Sequence, residues 1–548
     1  MIRKTRDMLA ITLIALLWGA LVFVIGVGGD FPLNDDWVHA WSVKNFLDGR
    51  GLLLLPYAGP LLYFQVLLGA VASAVFWFSF VTLRAVTLVS ALVALWSLWW
   101  MMRQARVSAK NAFLVVAALA VNPWFVNLSF TFMTDVPSLA FLLLACAFMI
   151  KGFDRDRRGW IILANVAALA SMFIRQSGAL FFVAAFIALA LNIRKPAARR
   201  ALPITIVFAA LGAGLYWFLG QRGLLPQTAG VHLLNWRALL PHALQWLAYG
   251  LLYLGLLALP VFAGVALARR KIFFHAKTFL CILVAGGVVA YFWIARGQYF
   301  PYVGNIITHE GLGPTGEVLQ GKESAMFPLW IWWGATVMAT IGAAFIVRFH
   351  VRAKLRMLRK WHFPFDVTLV GALFGLNLVL VMIVKGFDRY LLPALAFLLA
   401  YVALYYGKKF RMKRWVVALG IVAMVAYSII GTQNYLRWNE TRWKLTNFTA
   451  PIPNGTVKFV DPKRIDAGYE WCGWEVYTGR GWIPADQLSV GENPHDRSKP
   501  WYVNSICPAN TGEYVISFSE LPGYDVLEKA EYKSWYDTSP WLYVLKKK

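Results

Sequence analysis

Asp35 and Asp36 stand side by side in the stretch Asp30-Phe-Pro-Leu-Asn-Asp-Asp-Trp-Val-His39. Adjacent carboxylates suit a general base, or an electrostatic partner for a developing cation. Their mutual repulsion raises the pKa of one of them. A plainer role also fits: Asn34 or Asp35 can cap a helix running through Trp41–Leu47. A third acid, Asp135, lies in Phe132-Met-Thr-Asp-Val-Pro137, which is also a helix-start signal. Arg84, Arg175 and Arg389 sit at the ends of apolar runs, the last within Asp388-Arg-Tyr-Leu-Leu-Pro393 beside Tyr390. The arginine fork recognises phosphate through paired hydrogen bonds. The competing uses are pairing with a local acid, for Arg389 with Asp388, or snorkelling to headgroups. His39 and His309 add two candidates for contact with a substrate or acceptor. Asp35, Asp36 and His39 sketch only a weak metal set, because no second histidine joins them. No metal is therefore assigned. The chain has no Gly-x-x-x-x-Gly-Lys-Ser/Thr, Gly-x-Ser-x-Gly or His-Glu-x-x-His motif, so no soluble nucleotide cofactor is indicated.

The elements that must position these groups are membrane helices. Of 548 residues, 59% are hydrophobic and 15% charged, with a mean hydropathy of +0.58. Soluble domains carry about 45–50% apolar and about 25% charged residues, so a soluble globular fold and disorder are both excluded. Apolar runs near span length fall at about 8–29, 83–102, 111–130, 136–152, 160–174, 179–193, 201–220, 243–268, 276–295, 327–347, 364–384, 389–406 and 414–431, thirteen in all. A fourteenth run, 61–80, would reverse the sidedness of everything after it.

Charge decides between thirteen and fourteen. The net charge is +26, which alone would permit a nucleic-acid partner. Yet 29 of the 53 Lys and Arg lie in seven clusters, at 1–7, 103–110, 151–158, 194–200, 269–277, 348–362 and 408–414, and only nine in the six loops between them. Thirteen spans put all seven clusters on the cytoplasmic side, as the positive-inside rule requires. The run 61–80 is then expected to lie flat at the outer interface, or to be only partly inserted. The N-terminus is inside, and its apolar run is long for a signal peptide and lacks a clear cleavage site. Asp35, Asp36, Asp135, Arg175 and Arg389 all fall outside.

From about 432 the composition turns polar, and stretches such as Thr456–Val460 and Tyr514–Phe518 alternate like strands. The expected organisation is a transmembrane module over 1–431, with its first outer loop at 30–82, and a mixed α/β or β-rich exported domain over 432–548. Cys472 and Cys507 lie in that domain and are a disulfide candidate.

These residues resemble a known pattern. Asn34-Asp35-Asp36-Trp37, the Pro-led segment from Gly59-Pro60 to Phe80, Arg84, Thr134-Asp135-Val136-Pro137 and Arg389-Tyr390-Leu391-Leu392-Pro393 occur in the order found in GT-C superfamily glycosyltransferases. The resemblance covers roughly 1–430 and is to the branch of the protein O-mannosyltransferase-like proteins and the lipid A aminoarabinose transferases. It implies a GT-C fold of about thirteen transmembrane helices and a polyprenyl-phosphate sugar donor. It also implies an inverting transfer to a lipid, glycan or protein acceptor of the cell envelope, on the periplasmic side of a bacterial inner membrane. Carried over residue by residue, Asp35, Asp36 and Asp135 match the family's acids, and Arg84 and Arg389 its arginines. The acid and base that aminoarabinose transferases carry before the first-loop proline are here Tyr57-Ala-Gly, which argues against that sugar. The rival class is a transporter or flippase of lipid-linked sugars, not driven by ATP. It would call for ionisable residues at mid-span and inverted repeats, and the sequence has neither.

Overall fold

In a computed structural model of the chain, residues 2–226, 236–270, 275–384, 386–447, 449–451, 457–477, 499–537 and 540–548 are described. Among the described residues, ten helices are long and apolar enough to cross a membrane. An eleventh span is a bent pair, Ala109–Ala120 and Pro123–Ser129, broken by 61° where Asn122 caps the second helix ahead of a proline. The count of thirteen is approximate. Two expected spans are the shorter helices Arg158–Ile174 and Gln176–Ala190, parted by the extended Arg175 (φ −148°).

The run expected to lie flat contains the helix Tyr63–Phe76, 14 residues long. At 1.5 Å per residue it is too short to cross about 30 Å of hydrocarbon. It buries Gln65, Val66, Gly69 and Ala70, and a methyl on Gly69 would meet Phe132 and Val43 at 2.9 Å. Only glycine lets this helix approach the first loop so closely.

The last long helix, Arg414–Leu445, runs well beyond the end of its apolar stretch at 431. Its C-terminal half is polar but buried: Thr432, Gln433, Asn434, Asn439 and Arg442 are all covered. The C-terminal residues and the 300–326 loop supply that cover, for example through Asn434 to Tyr536 (2.8 Å) and Arg442 to Glu470 (2.9 Å).

Six strands follow: β1 (Thr449–Pro451), β2 (Val457–Phe459), β3 (Ile465–Asp466), β4 (Tyr514–Ser517), β5 (Tyr524–Glu531) and β6 (Trp541–Lys547). Of the expected stretch Thr456–Val460, Thr456 lies outside the described residues. β1 and β2 form an antiparallel pair, and the others a sheet in the order β3-β4-β6-β5, parallel only at β3-β4. β4 is buried along its length while β5 is largely exposed, and the sheet meets the long helix through β6 and β5. Cys472 and Cys507 form a disulfide with Cα atoms 5.7 Å apart, which ties the turn after Gly468 to the helix Trp501–Ile506.

Candidate active site

Four of the acids and arginines singled out above converge. Asn34 holds a left-handed conformation (φ 54°), which asparagine tolerates better than most residues. This turn opens the helix Asp36–Leu47 and leaves Asp35 just before it. The Asp35 carboxylate receives one hydrogen bond from Arg389 Nη2 (3.1 Å) and another from the Tyr469 hydroxyl (2.6 Å). Arg389 lies in a turn, Asp388–Leu391, that leads into the helix Leu392–Tyr406 through Pro393. Asp388 is not its ion-pair partner. That carboxylate accepts the backbone N–H of Ile306 (3.1 Å), Ile307 (2.8 Å) and Arg389 (2.7 Å), and the indole N–H of Trp124 (3.1 Å). Asp388 thereby fixes the backbone from which Arg389 reaches Asp35.

A second pair lies alongside. Asp135 opens its helix and binds Arg175 Nη1 at 2.5 Å. The Arg175 guanidinium lies 4.4 Å from the Tyr390 ring centroid and that of Arg389 5.7 Å from it, so Tyr390 is flanked by both cations. Arg389 keeps Nε and Nη1 buried without a protein partner, and Asp135 keeps Oδ2 in the same state.

Asp36 points elsewhere. It is fully buried and accepts the N–H of Phe132 (2.8 Å) and of Leu33 (3.4 Å). At the other end of the same residue, His39 Nδ1 lies 3.0 Å and Gln65 Nε2 2.6 Å from the Phe132 carbonyl. Three side chains from the first loop thus clamp the Phe132 backbone that leads into Thr134-Asp135. The expected split between the two acids is present. Burial, outweighing Arg84 and the two backbone donors, pushes the Asp36 carboxyl up to about 8. Burial also works against the Asp35 carboxylate, but Arg389, the Tyr469 hydroxyl and His39 together hold it below its usual range. Asp35 is therefore ionised at neutral pH and Asp36 largely is not.

Three expectations need correction. Arg84 lies near Asp36 but forms no ion pair with either acid: it is fully buried and donates to the carbonyls of Val27 (3.0 Å), Gly29 (2.7 Å) and Phe31, so it shapes the entry to the first loop. His39 is buried against Phe132 and serves the clamp, and burial lowers its pKa. His309 lies apart, packed on Tyr299 and Trp332 at the edge of a separate cavity. The weak metal set disperses, since Asp35, Asp36 and His39 face different partners. Among the described residues no group of three or more His, Cys, Asp or Glu could hold a metal ion.

Sequence reasoning missed two residues. Tyr469 completes the hydrogen bonding of Asp35. Glu470 accepts the Asn34 N–H (2.8 Å) and pairs with Arg442 (2.9 Å), with both charges buried. They immediately precede Trp471-Cys-Gly-Trp474, where Gly473 lies against Trp37 so closely that a methyl would meet its ring at 2.2 Å. No local spacing signals a contact across 434 residues.

Fold and site together define a polytopic helical membrane protein with two adjacent carboxylate–arginine pairs. Residues 61–217 match the dolichyl-phosphate-mannose-protein mannosyltransferase family. No curated protein matches at the sequence level. Among solved structures, the oligosaccharyltransferase AglB of Archaeoglobus fulgidus, in complex with an inhibitory peptide and a dolichol-phosphate, has 13% identity and a TM-score of 0.47, over 94% of this chain and 69% of that one. ArnT from Cupriavidus metallidurans has 13% identity and a TM-score of 0.39, over 99% and 98%. The S. cerevisiae protein O-mannosyltransferase Pmt1-Pmt2 complex has 13% identity and a TM-score of 0.33, over 41% of this chain and 34% of that one.

Proposed function

We propose that this enzyme moves a sugar from a polyprenyl-phosphate donor to a lipid, glycan or protein acceptor, at the periplasmic face of a bacterial inner membrane, with inversion at the anomeric carbon. Asp35 is the general base. The acceptor's nucleophilic atom bonds to the anomeric carbon as the bond from that carbon to the phosphate oxygen breaks. The acceptor's proton passes to Asp35, and the lipid phosphate leaves with the bonding electrons. Arg389 and Arg175, beside Tyr390, stabilise the phosphate charge in a site shielded from water. Asp135 orients Arg175, and Asp36 holds the turn that carries Asp135. The transmembrane module 1–431 supplies these groups, and the domain 432–548 closes the site through Tyr469.

The observation that carries this reading is the ion pair between Asp35 and Arg389 at 3.1 Å, which joins an ionised carboxylate to a guanidinium with two donors unspent. The test offers radiolabelled polyprenyl-phosphate sugars to the purified chain and to Asp35→Asn. Label is expected to reach an acceptor with the parent protein and not with the variant, at equal insertion and thermal stability. Full transfer by Asp35→Asn would remove the base from this scheme.

A further inference from the structure

The 301–323 loop encloses a second cavity of about 370 Å³, walled by Asn305, Thr308, His309, Glu310, Glu317 and Glu323, with Lys322 as its cation. Three of its polar atoms are buried without a protein partner. Asn305 is buried (6% exposed), yet its Oδ1 has no protein partner. His309 Nε2 and Glu323 Oε2 are likewise buried without one. Burial lifts the Glu317 carboxyl, and burial with Glu310 and Asp537 nearby lifts that of Glu323. The Asn305 amide and the Thr308 hydroxyl give the wall donors as well as acceptors.

Bonds on both sides tie this cavity to Asp35. On one side the N–H groups of Ile306 and Ile307, next to Asn305, are pinned on Asp388, whose neighbour Arg389 holds Asp35. On the other side the carbonyl of Val318, next to Glu317, accepts the N–H of Tyr469 (2.8 Å), whose hydroxyl reaches Asp35. The Glu317 carbonyl accepts the indole N–H of Trp501 (2.8 Å). The loop that walls the cavity is thus anchored at two points, by Tyr469, which bonds the proposed base, and by Asp388, whose neighbour Arg389 does.

From this arrangement we infer that the cavity is an acceptor subsite for a hydroxyl-rich sugar unit, neutral or amino-substituted and not anionic. A polyol fits buried groups that lack partners and can both donate and accept. With Lys322 as the one cation among its lining residues, the wall gives a phosphate or carboxylate no paired basic fork to bind. Its volume falls in the range of about 300–1,000 Å³ usual for small-ligand sites. The inference rests on the glycosyltransferase reading for the word acceptor but not for the binding itself.

The test uses the full chain in detergent, with methyl glucosaminide, methyl glucoside and glucose 6-phosphate as probes followed by ligand-observed NMR. Both methyl glycosides are expected to bind, and glucose 6-phosphate about tenfold or more weaker. Glu317→Lys, at an exposed position, and Asn305→Leu are each expected to weaken methyl glucoside by about tenfold, whereas Asp35→Asn leaves its binding unchanged. Absence of binding by both glycosides, equal binding by a folded Glu317→Lys protein, or binding of the phosphate sugar as tight as the neutral one would overturn the subsite. Loss of binding in the Glu317 variant with transfer intact in Asp35→Asn would keep the subsite and sink the catalytic reading instead.

Discussion

Tyr469→Phe removes one oxygen from the site and leaves its packing in place. The ring still meets Trp37 edge-on, with centroids 6.0 Å apart, and Arg389 still pairs with Asp35. What goes is the hydroxyl that donates to the Asp35 carboxylate at 2.6 Å. A hydrogen bond to a charged group contributes about 1.5–3 kcal/mol, and one pKa unit corresponds to about 1.36 kcal/mol. The Asp35 carboxyl, now held below its ordinary range, should therefore rise by about one to two units. Transfer requires the ionised base, so the acidic limb of kcat/KM against pH should move upward by that amount. The plateau at higher pH should stay within about tenfold of the parent, because Arg389 still stabilises the charge. Stability gives an independent readout. A carboxyl held low in the folded protein contributes stability above its unfolded pKa, and that contribution is lost as pH falls through the folded value. The variant should melt earlier than the parent at neutral pH, and the gap should close in acid. An acidic limb that does not move, or a variant as inactive as Asp35→Asn at every pH, would refute the assignment of Tyr469 to Asp35.

Other consequences follow from the same geometry. Asp36→Asn should retain measurable transfer, since the amide oxygen can still accept the Phe132 N–H. With its folded carboxyl up near 8, Asp36 binds a proton that the unfolded chain has lost, so its contribution to stability declines as pH rises from about 4 to about 8. That decline in thermal midpoint should flatten in the variant. Arg389→Ala strands the Asp35 carboxylate and should cost about 3–5 kcal/mol of stability along with transfer. Arg389→Lys should recover stability in detergent melts better than it recovers activity, because a point charge lacks the fork. Gly473→Ala drives a methyl into the Trp37 ring, an overpacking that typically costs about 1–3 kcal/mol. Transfer should fall with the melting temperature, and wild-type activity in that variant would break the proposed link between the C-terminal turn and the first loop.

Much of the architecture was legible because hydropathy and helix length are local quantities. The apolar runs needed no partner to be recognised as spans, and Arg158–Ile174 and Gln176–Ala190 blurred the count only because they are short. The 61–80 run was assigned by charge, through loops far from it, and its helix is indeed too short to span. In the site, Asp35, Asp135, Arg175 and Arg389 were visible as charged residues at apolar ends, where each one costs free energy and so stands out. Arg84 looked the same by that criterion. Its use of three backbone carbonyls depends on the path of residues 27–31, which no side-chain pattern announces.

By itself the sequence determined that this is a polytopic membrane protein, and which few acids and arginines can work together. Apolar length and charge placement are additive properties of a chain in a bilayer. Only the tertiary structure gave Asp35 and Asp36 different partners. Two adjacent residues at a helix start project in different directions, one towards Arg389 and Tyr469 and the other onto the Phe132 peptide. It alone brought Tyr469 and Glu470 to the first loop. Contacts of such sequence separation arise from packing the C-terminal turn on Trp37, and packing is a property of shapes that meet, not of spacing along the chain.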